Sequence, residues 1–236
     1  MKHLAPIFMC FYILVLNGTS FECGASEAVD KVYQPYVLPF EREFEWRFSS
    51  RKNDDGNALL QRIAYGQAIS EYVTVEGYLV GERDEEDNFG LHSYEIETRW
   101  MLSDQGEYWA DWGALFELEK GHEKDSWEFT TGILAEKEFG RTSLTVNFLV
   151  SQSWGSDSDK TLQGDFRLKY RYRWIPEIQP AIEIYSKHEF LGIGPAFMGI
   201  SRFEGQRQLK WELGFIAGLN GKSTDHTLRF ALEMEF

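Results

Sequence analysis

From residue 40 to the C-terminal Phe236 the chain repeats one pattern: short runs of alternating apolar and polar residues, separated by polar or Gly-containing tracts. A repeat of two turns successive side chains to opposite faces of a strand, while a helix would return its apolar residues every three to four positions. No helical period competes with the alternation. The closing run shows the demand: Leu228, Phe230, Leu232, Met234 and Phe236 share one face, and Thr227, Arg229, Ala231, Glu233 and Glu235 share the other. Each strand must therefore meet two different surroundings.

Twelve such runs are predicted. The first, 40–49, sets Phe44, Trp46 and Phe48 against Glu41, Glu43, Glu45 and Arg47; the second, 59–69, is the weakest, with only Ile63 and Tyr65 bulky on one face. In the third, 72–82, Val73, Val75 and Leu79 oppose Thr74, Glu76 and Tyr78; in the fourth, 92–102, Tyr94, Ile96, Thr98 and Trp100 oppose Ser93, Glu95, Glu97 and Arg99. The fifth, 108–120, carries Trp112, Ala114, Phe116 and Leu118 opposite Asp111, Gly113, Glu117 and Glu119. The sixth, 127–139, carries Trp127, Phe129, Ile133 and Ala135 opposite Glu128, Thr130, Glu136 and Glu138. Leu144, Val146, Phe148 and Val150 mark the seventh, and the eighth is the most regular, with Phe166, Leu168, Tyr170 and Tyr172 against Arg167, Lys169, Arg171 and Arg173. The ninth spans 178–187, the tenth, 194–203, does not declare its faces, and the eleventh sets Leu209, Trp211, Leu213 and Phe215 against Lys210, Glu212 and Gly214.

A soluble sandwich would alternate too. The apolar face separates the two cases, because here it gathers aromatic residues towards the strand ends, as rings at a membrane interface do. Tyr172, Trp174, Trp100, Phe139 and Phe236 fall at one rim, Trp127 and Trp154 at the other. No apolar run of ~18 residues follows residue 30, so no helix is expected to span a bilayer. The fold class that follows is all-β: an antiparallel transmembrane β-barrel of about twelve strands, or ten if the second and tenth runs are misread. An even count places both termini on one side, the periplasm in an outer membrane, and the acidic tracts KNDDGNA, ERDEEDNFG and GSDSDK on the other.

The chain opens with MKHLAPIFMCFYILVLNGTSFECGASEAVD: a basic start at Lys2 and His3, an apolar run over 4–16, then small residues, the order of a secretory signal. Cleavage after Ala25 or Ala28 divides the chain into a signal, 1–25, a periplasmic N-terminal segment, 29–39, and the barrel, 40–236. Cys10 and Cys23 lie in or beside the signal, so the mature chain is expected to lack a disulfide, and Glu22 before Cys23 argues against lipidation. A net charge of -14, from 38 acidic and 24 basic residues, argues against a general nucleic-acid partner.

The ending TLRFALEMEF, with its alternation and terminal Phe236, resembles the C-terminal strand of Gram-negative outer-membrane β-barrels. That resemblance implies export to the cell outer membrane, its lipids as surroundings, and recognition of Phe230, Leu232, Met234 and Phe236 by the barrel assembly machinery. More loosely, YGQAISEYVTVEGYL, GIGPAF, KWELGFIAGL and TDHTLRFALEMEF are similar to uncharacterised barrels grouped with the phenol meta-pathway outer-membrane transporters, which implies a transport-like role.

With the polar face inward, the lining is expected to include Glu41, Glu43, Glu45, Glu95, Glu97, Arg99, Asp111, Glu117, Glu128, Arg167, Lys169, Arg171, Arg173 and Arg229. Acids gather on the first and on the third to sixth strands and basic residues on the eighth; the resulting field would favour passage of small polar or charged solutes. The alternative is a plugged barrel whose charges pair with one another. A lipid-modifying hydrolase and a structural barrel without transport are the rival classes. The barrel lipid hydrolases resemble each other in a His-x-Ser order, which Ser186 and His188 reverse, and adjacent His92 and Ser93 point to opposite faces. No cofactor and no metal are expected, since His92, His122, His188 and His226 are scattered and no Cys joins them. GIGPAF lacks the Lys and helix of a phosphate loop; Gly192 and Gly194 beside Pro195 predict a bend or bulge.

Overall fold

A computed structural model describes residues 29–53, 56–83, 88–205, 207–220 and 225–236; the segment expected to be a signal, both cysteines and parts of the connecting loops lie outside them. Twelve strands follow in order: β1 (Arg42–Asn53), β2 (Gly56–Ala68), β3 (Val73–Arg83), β4 (Phe89–Met101), β5 (Asp111–Gly121), β6 (Ser126–Phe139), β7 (Thr142–Gly155), β8 (Leu162–Tyr172), β9 (Gln179–Lys187), β10 (Phe190–Arg202), β11 (Gln208–Gly218) and β12 (His226–Glu235). Each pairs antiparallel with its neighbours in sequence, and β1 pairs with β12, so the sheet closes on itself. Closure leaves no open sheet edge, which strands surrounded by hydrocarbon require.

The two faces fall as the alternation predicts. Across the closing seam Phe44 faces Met234, Trp46 faces Leu232 and Phe48 faces Phe230, all outward, with Trp46 and Phe230 edge to face at 5.9 Å between ring centres. Leu79, Ile96, Phe148 and Ile182 stand exposed around the outside, and an apolar band of this width suits lipid rather than water. Trp127 stacks on Trp154 at 6.4 Å near one rim, while Trp100, Phe139, Trp174 and Phe236 are exposed near the other. The start of β1 and the end of the chain meet at that second rim, where the Phe236 N–H donates to the Arg42 carbonyl at 2.9 Å.

Three details differ from the sequence expectation. The weak second run is a full strand starting at Gly56, whose inner side narrows to Ala64, Gly66 and Ala68 because its neighbours fill the space there: a Cβ on Gly66 would lie 2.6 Å from the Glu76 side chain and 2.7 Å from that of Glu43. The tenth strand starts at Phe190 rather than at 194, because a tight turn with His188 at φ 50° lets Lys187 pair with Phe190. At Pro195, which has no N–H to give, the β10–β11 ladder is interrupted, and it resumes in unchanged register at Ala196 opposite Gly214; this is a gap rather than a bulge. A register shift occurs instead at Val80/Gly81, between β3 and β4.

The largest correction concerns the segment expected in the periplasm. Residues 29–37 run inside the barrel, with Val29, Val32, Tyr33 and Val37 all buried. A turn over residues 38–41 reverses the chain from lumen to wall: the Glu41 N–H donates to the Leu38 carbonyl at 3.3 Å, with Pro39 next and Phe40 at φ 63°. Apolar residues at inward positions draw the segment in. Val29 and Val32 cluster with Tyr185, Phe190 and Ile216, and Tyr33 with Leu115, Leu134 and Leu149.

Candidate functional site: a filled, ionic lumen

The segment climbs from the terminal rim towards the outer end, and nearly every residue finds a partner on the wall. Near the rim the Tyr36 hydroxyl donates to Asp111 at 2.8 Å, and Pro35 lies against Gly113, where a Cβ would come within 3.0 Å of it. Gln34 donates to Glu136 at 2.9 Å. Asn147 of β7 then pairs with the backbone of Tyr33 in both directions: the Tyr33 N–H donates to its Oδ1, and its Nδ2 donates to the Tyr33 carbonyl, each at 2.8 Å. This is the geometry of a strand ladder supplied by one side chain.

Above Tyr33 the contacts become ionic. Lys31 bridges Glu45 at 3.0 Å and Glu233 at 2.8 Å. Asp30 receives Arg47 at 2.8 Å, Arg62 at 3.0 Å and Arg167 at 3.4 Å, while the Tyr185 hydroxyl donates to its carbonyl at 2.7 Å. A carboxylate taken out of water is tolerable only when paired and hydrogen-bonded, and here three cations converge on it.

Of the residues predicted to line the lumen, those within the strands lie at inward positions, Glu41 and Arg173 lie just beyond the strand ends, and most are members of ion pairs or hydrogen bonds rather than of two opposed walls. Glu43 accepts from Arg99 at 3.0 Å, Glu95 forms an ion pair with Arg62 at 3.3 Å, and Glu97 lies 3.6 Å from the Arg99 Nε. Lys169 reaches Glu212 at 3.2 Å, Arg171 reaches Glu136 at 3.2 Å, Arg173 reaches Glu138 at 2.7 Å and Arg229 reaches Glu212 at 3.0 Å. Glu128 accepts from the Ser153 hydroxyl at 2.8 Å. Glu45 holds Lys31 and Arg47, Asp111 holds Tyr36, and Glu41 sits half-buried at the rim turn. Glu117 stands opposite Glu97, and Glu119 opposite both Glu95 and Glu128, which leaves an acidic lane on β4 to β6. The basic side is diluted by Asp165, Glu183 and Glu212, and the acidic side by Arg47, Arg62 and Arg99, so most of the expected transverse field is cancelled locally.

Among the described residues, Glu43, Glu233 and Glu235 bring ligand atoms within 4.8 Å of one another. Arg99 reaches Glu43, while Lys31 and Lys210 reach Glu233 at 2.8 Å each, so the acids are already neutralised by cations. Ser93 is buried on the inner face, and its neighbour His92 pairs with Glu82 at 3.0 Å. His188 lies in the β9–β10 turn.

The closed barrel, its apolar outer band and its charged interior together define the architecture of an outer-membrane β-barrel. No family model matches the sequence, and no curated protein matches it. Among solved structures the chain is similar to an outer-membrane channel from Pseudomonas putida F1, with a TM-score of 0.58 and 13% identity over 88% of this chain and 100% of that one. It is also similar to the KdgM porin in complex with disordered oligogalacturonate, at TM-score 0.54 and 9% identity, covering 82% of this chain and 98% of the porin. The translocator domain of the autotransporter NalP from Neisseria meningitidis matches at TM-score 0.54 and 11% identity, over 85% and 89% of the two chains. At these identities the likeness is one of fold.

Proposed function

We propose that the protein is an outer-membrane pore or transporter for small polar or charged molecules, with residues 29–37 as an internal plug that must shift for a solute to pass. The observation that carries this reading is the way the plug is held. Beside two apolar clusters, at Val29 with Val32 and at Tyr33, its contacts to the wall are hydrogen bonds and ion pairs, such as Lys31 with Glu45 and Glu233 and Asp30 with Arg47, on an inner face whose remaining residues are largely charged. Contacts of this kind exchange with water and ions, whereas a wholly apolar core would not. The channel and porin of like fold support the reading at the level of architecture.

Planar-bilayer recording on the full mature chain tests it. Small, intermittent conductance is expected, and replacing Arg167, Arg171 and Arg173 with Gln should shift ion selectivity towards cations. Silence in the bilayer for both proteins would end the pore reading. A permanently filled, structural barrel is the second reading, favoured by the near-complete burial of Glu45, Lys169 and Glu183 on the lumen face; it requires that silence. A hydrolase is not the proposal, because the His92 and Ser93 side chains lie on opposite faces. Location is checked by heat-modifiable migration in the outer-membrane fraction; recovery of folded protein in the soluble fraction would contradict it.

A further inference from the structure

The place that Asp30 fills is built from the wall like a ligand site. Arg47 of β1, Arg62 of β2 and Arg167 of β8 each direct a terminal guanidinium nitrogen, Nη1, at its carboxylate, at 2.8, 3.0 and 3.4 Å. Each gives another nitrogen to a wall carboxylate: Arg47 to Glu45, Arg62 to Glu95 at 3.3 Å, and Arg167 to Asp165 at 2.7 Å. The wall acids thus aim the three arginines from behind, independently of Asp30. They also balance the arginine charge, so a monoanion brings to the site no more charge than Asp30 does.

Beside this cage lies an apolar floor. The Tyr33 ring rests among Leu115, Leu134 and Leu149, its hydroxyl meets the Asp30 carboxylate at 3.2 Å, and the guanidinium carbons of Arg47 and Arg167 stand 5.9 and 5.6 Å from the ring centre. A small cavity bordered by Val29, Arg47, Arg62 and Arg229 adjoins the cage. Arginine forks recognise carboxylates and stack on aromatic faces. Both properties are satisfied here by two plug residues whose polar ends touch.

We propose that the arginine trio and the leucine floor form a binding station for an aryl carboxylate, which Asp30 and Tyr33 occupy as a tethered mimic. When the segment withdraws, one small molecule covers both places: its carboxylate takes the three Nη1 donors and its ring takes the floor. The proposal rests on the reading of the lumen as a solute path, but its test does not require flux.

Titration calorimetry with benzoate, on the full mature chain folded in detergent, is the experiment. Asp30→Ala/Tyr33→Ala empties both places while Lys31, Gln34 and Tyr36 still anchor the segment. Saturable benzoate binding at least ~10-fold tighter than in the native chain is expected, as several charge-assisted hydrogen bonds require. Adding Arg167→Gln should abolish the gain, and benzylamine, a ring of opposite charge, should not bind. No gain in a variant that keeps heat-modifiable migration overturns the proposal, and so does benzylamine binding as well as benzoate. Should the double variant fail to fold, Asp30→Asn removes only the competing charge and should still improve benzoate binding; no improvement there is equally fatal. Conductance without benzoate binding ends the station and leaves the pore, whereas benzoate binding in a barrel that never conducts does the reverse.

Discussion

Glu183 is fully buried on β9 and accepts from the Arg229 Nε at 3.0 Å and from the Tyr185 hydroxyl at 3.0 Å. Removing one member of such a pair strands the other charge, which costs more than the intact pair contributes. Glu183→Gln is therefore expected to lower stability by about 2–3 kcal/mol, read as a reduced urea midpoint of the folded barrel. Glu212, which also holds Arg229 at 3.0 Å, keeps the loss from being larger. An unchanged midpoint would contradict the pairing. A second residue acts at the outer loops. Asp125 accepts from both the hydroxyl and the N–H of Ser156, at 3.0 and 3.3 Å, and hydrogen bonds to Ser156 hold its carboxyl below the usual carboxylate range. With the folded value depressed, the ionised form is the one that ties the two loops together. The contact is complete above the ordinary Asp range near pH ~4 and is lost as pH falls through the lowered value. Protection of the Ser156 amide, taken relative to the intrinsic exchange rate at each pH, should fall in that window and stay level above it.

At the scale of elements, the plug is set against β5 by the absence of a side chain at Gly113, where a Cβ would come within 3.0 Å of the Pro35 Cα and Cβ. Gly113→Leu overpacks that contact at about 1–3 kcal/mol. Release of the segment should rise at least ~10-fold, seen as faster thiol labelling of a Gln34→Cys chain and as longer open times in the bilayer. Labelling at the native rate would show that the segment does not need this gap. The twelve strands, and the faces of all but the tenth, were legible because the pattern repeats every second residue; the tenth, broken by Gly192, Gly194 and Pro195, showed neither its faces nor its true start at Phe190. Residues 29–37 were not legible, since VDKVYQPYV joins no strand ladder and its order comes from the wall. A trace of it was present: Leu115, Leu134, Leu149, Tyr185 and Ile216 are apolar at inward positions that a water-filled lumen would make polar. The arginine trio left no such trace. Arg62 sits in the weakest run, and Arg47 and Arg167 come together only when the ring closes and Asp30 spans it.

For the whole molecule, closure depends on the last strand meeting the first, with Phe230 opposite Phe48 and Met234 opposite Phe44. Phe236 lies beyond the ladder, exposed at the rim where β12 ends beside the start of β1. Phe236→Ala is thus expected to slow assembly while leaving the stability of barrels that do form within ~0.5 kcal/mol. A reduced heat-modifiable fraction in cells with an unchanged urea midpoint checks both halves, and native levels of assembled barrel would remove Phe236 from assembly. The turn at residues 38–41 has a different kind of consequence. Because it ties the plug to the wall about eight residues from Asp30, the carboxylate competes for the arginines at an effective concentration in the mM range, as short tethers do. An incoming anion must outbid that fixed local dose, so the barrel would answer to solute abundance as a threshold device, with the tether length as its set point.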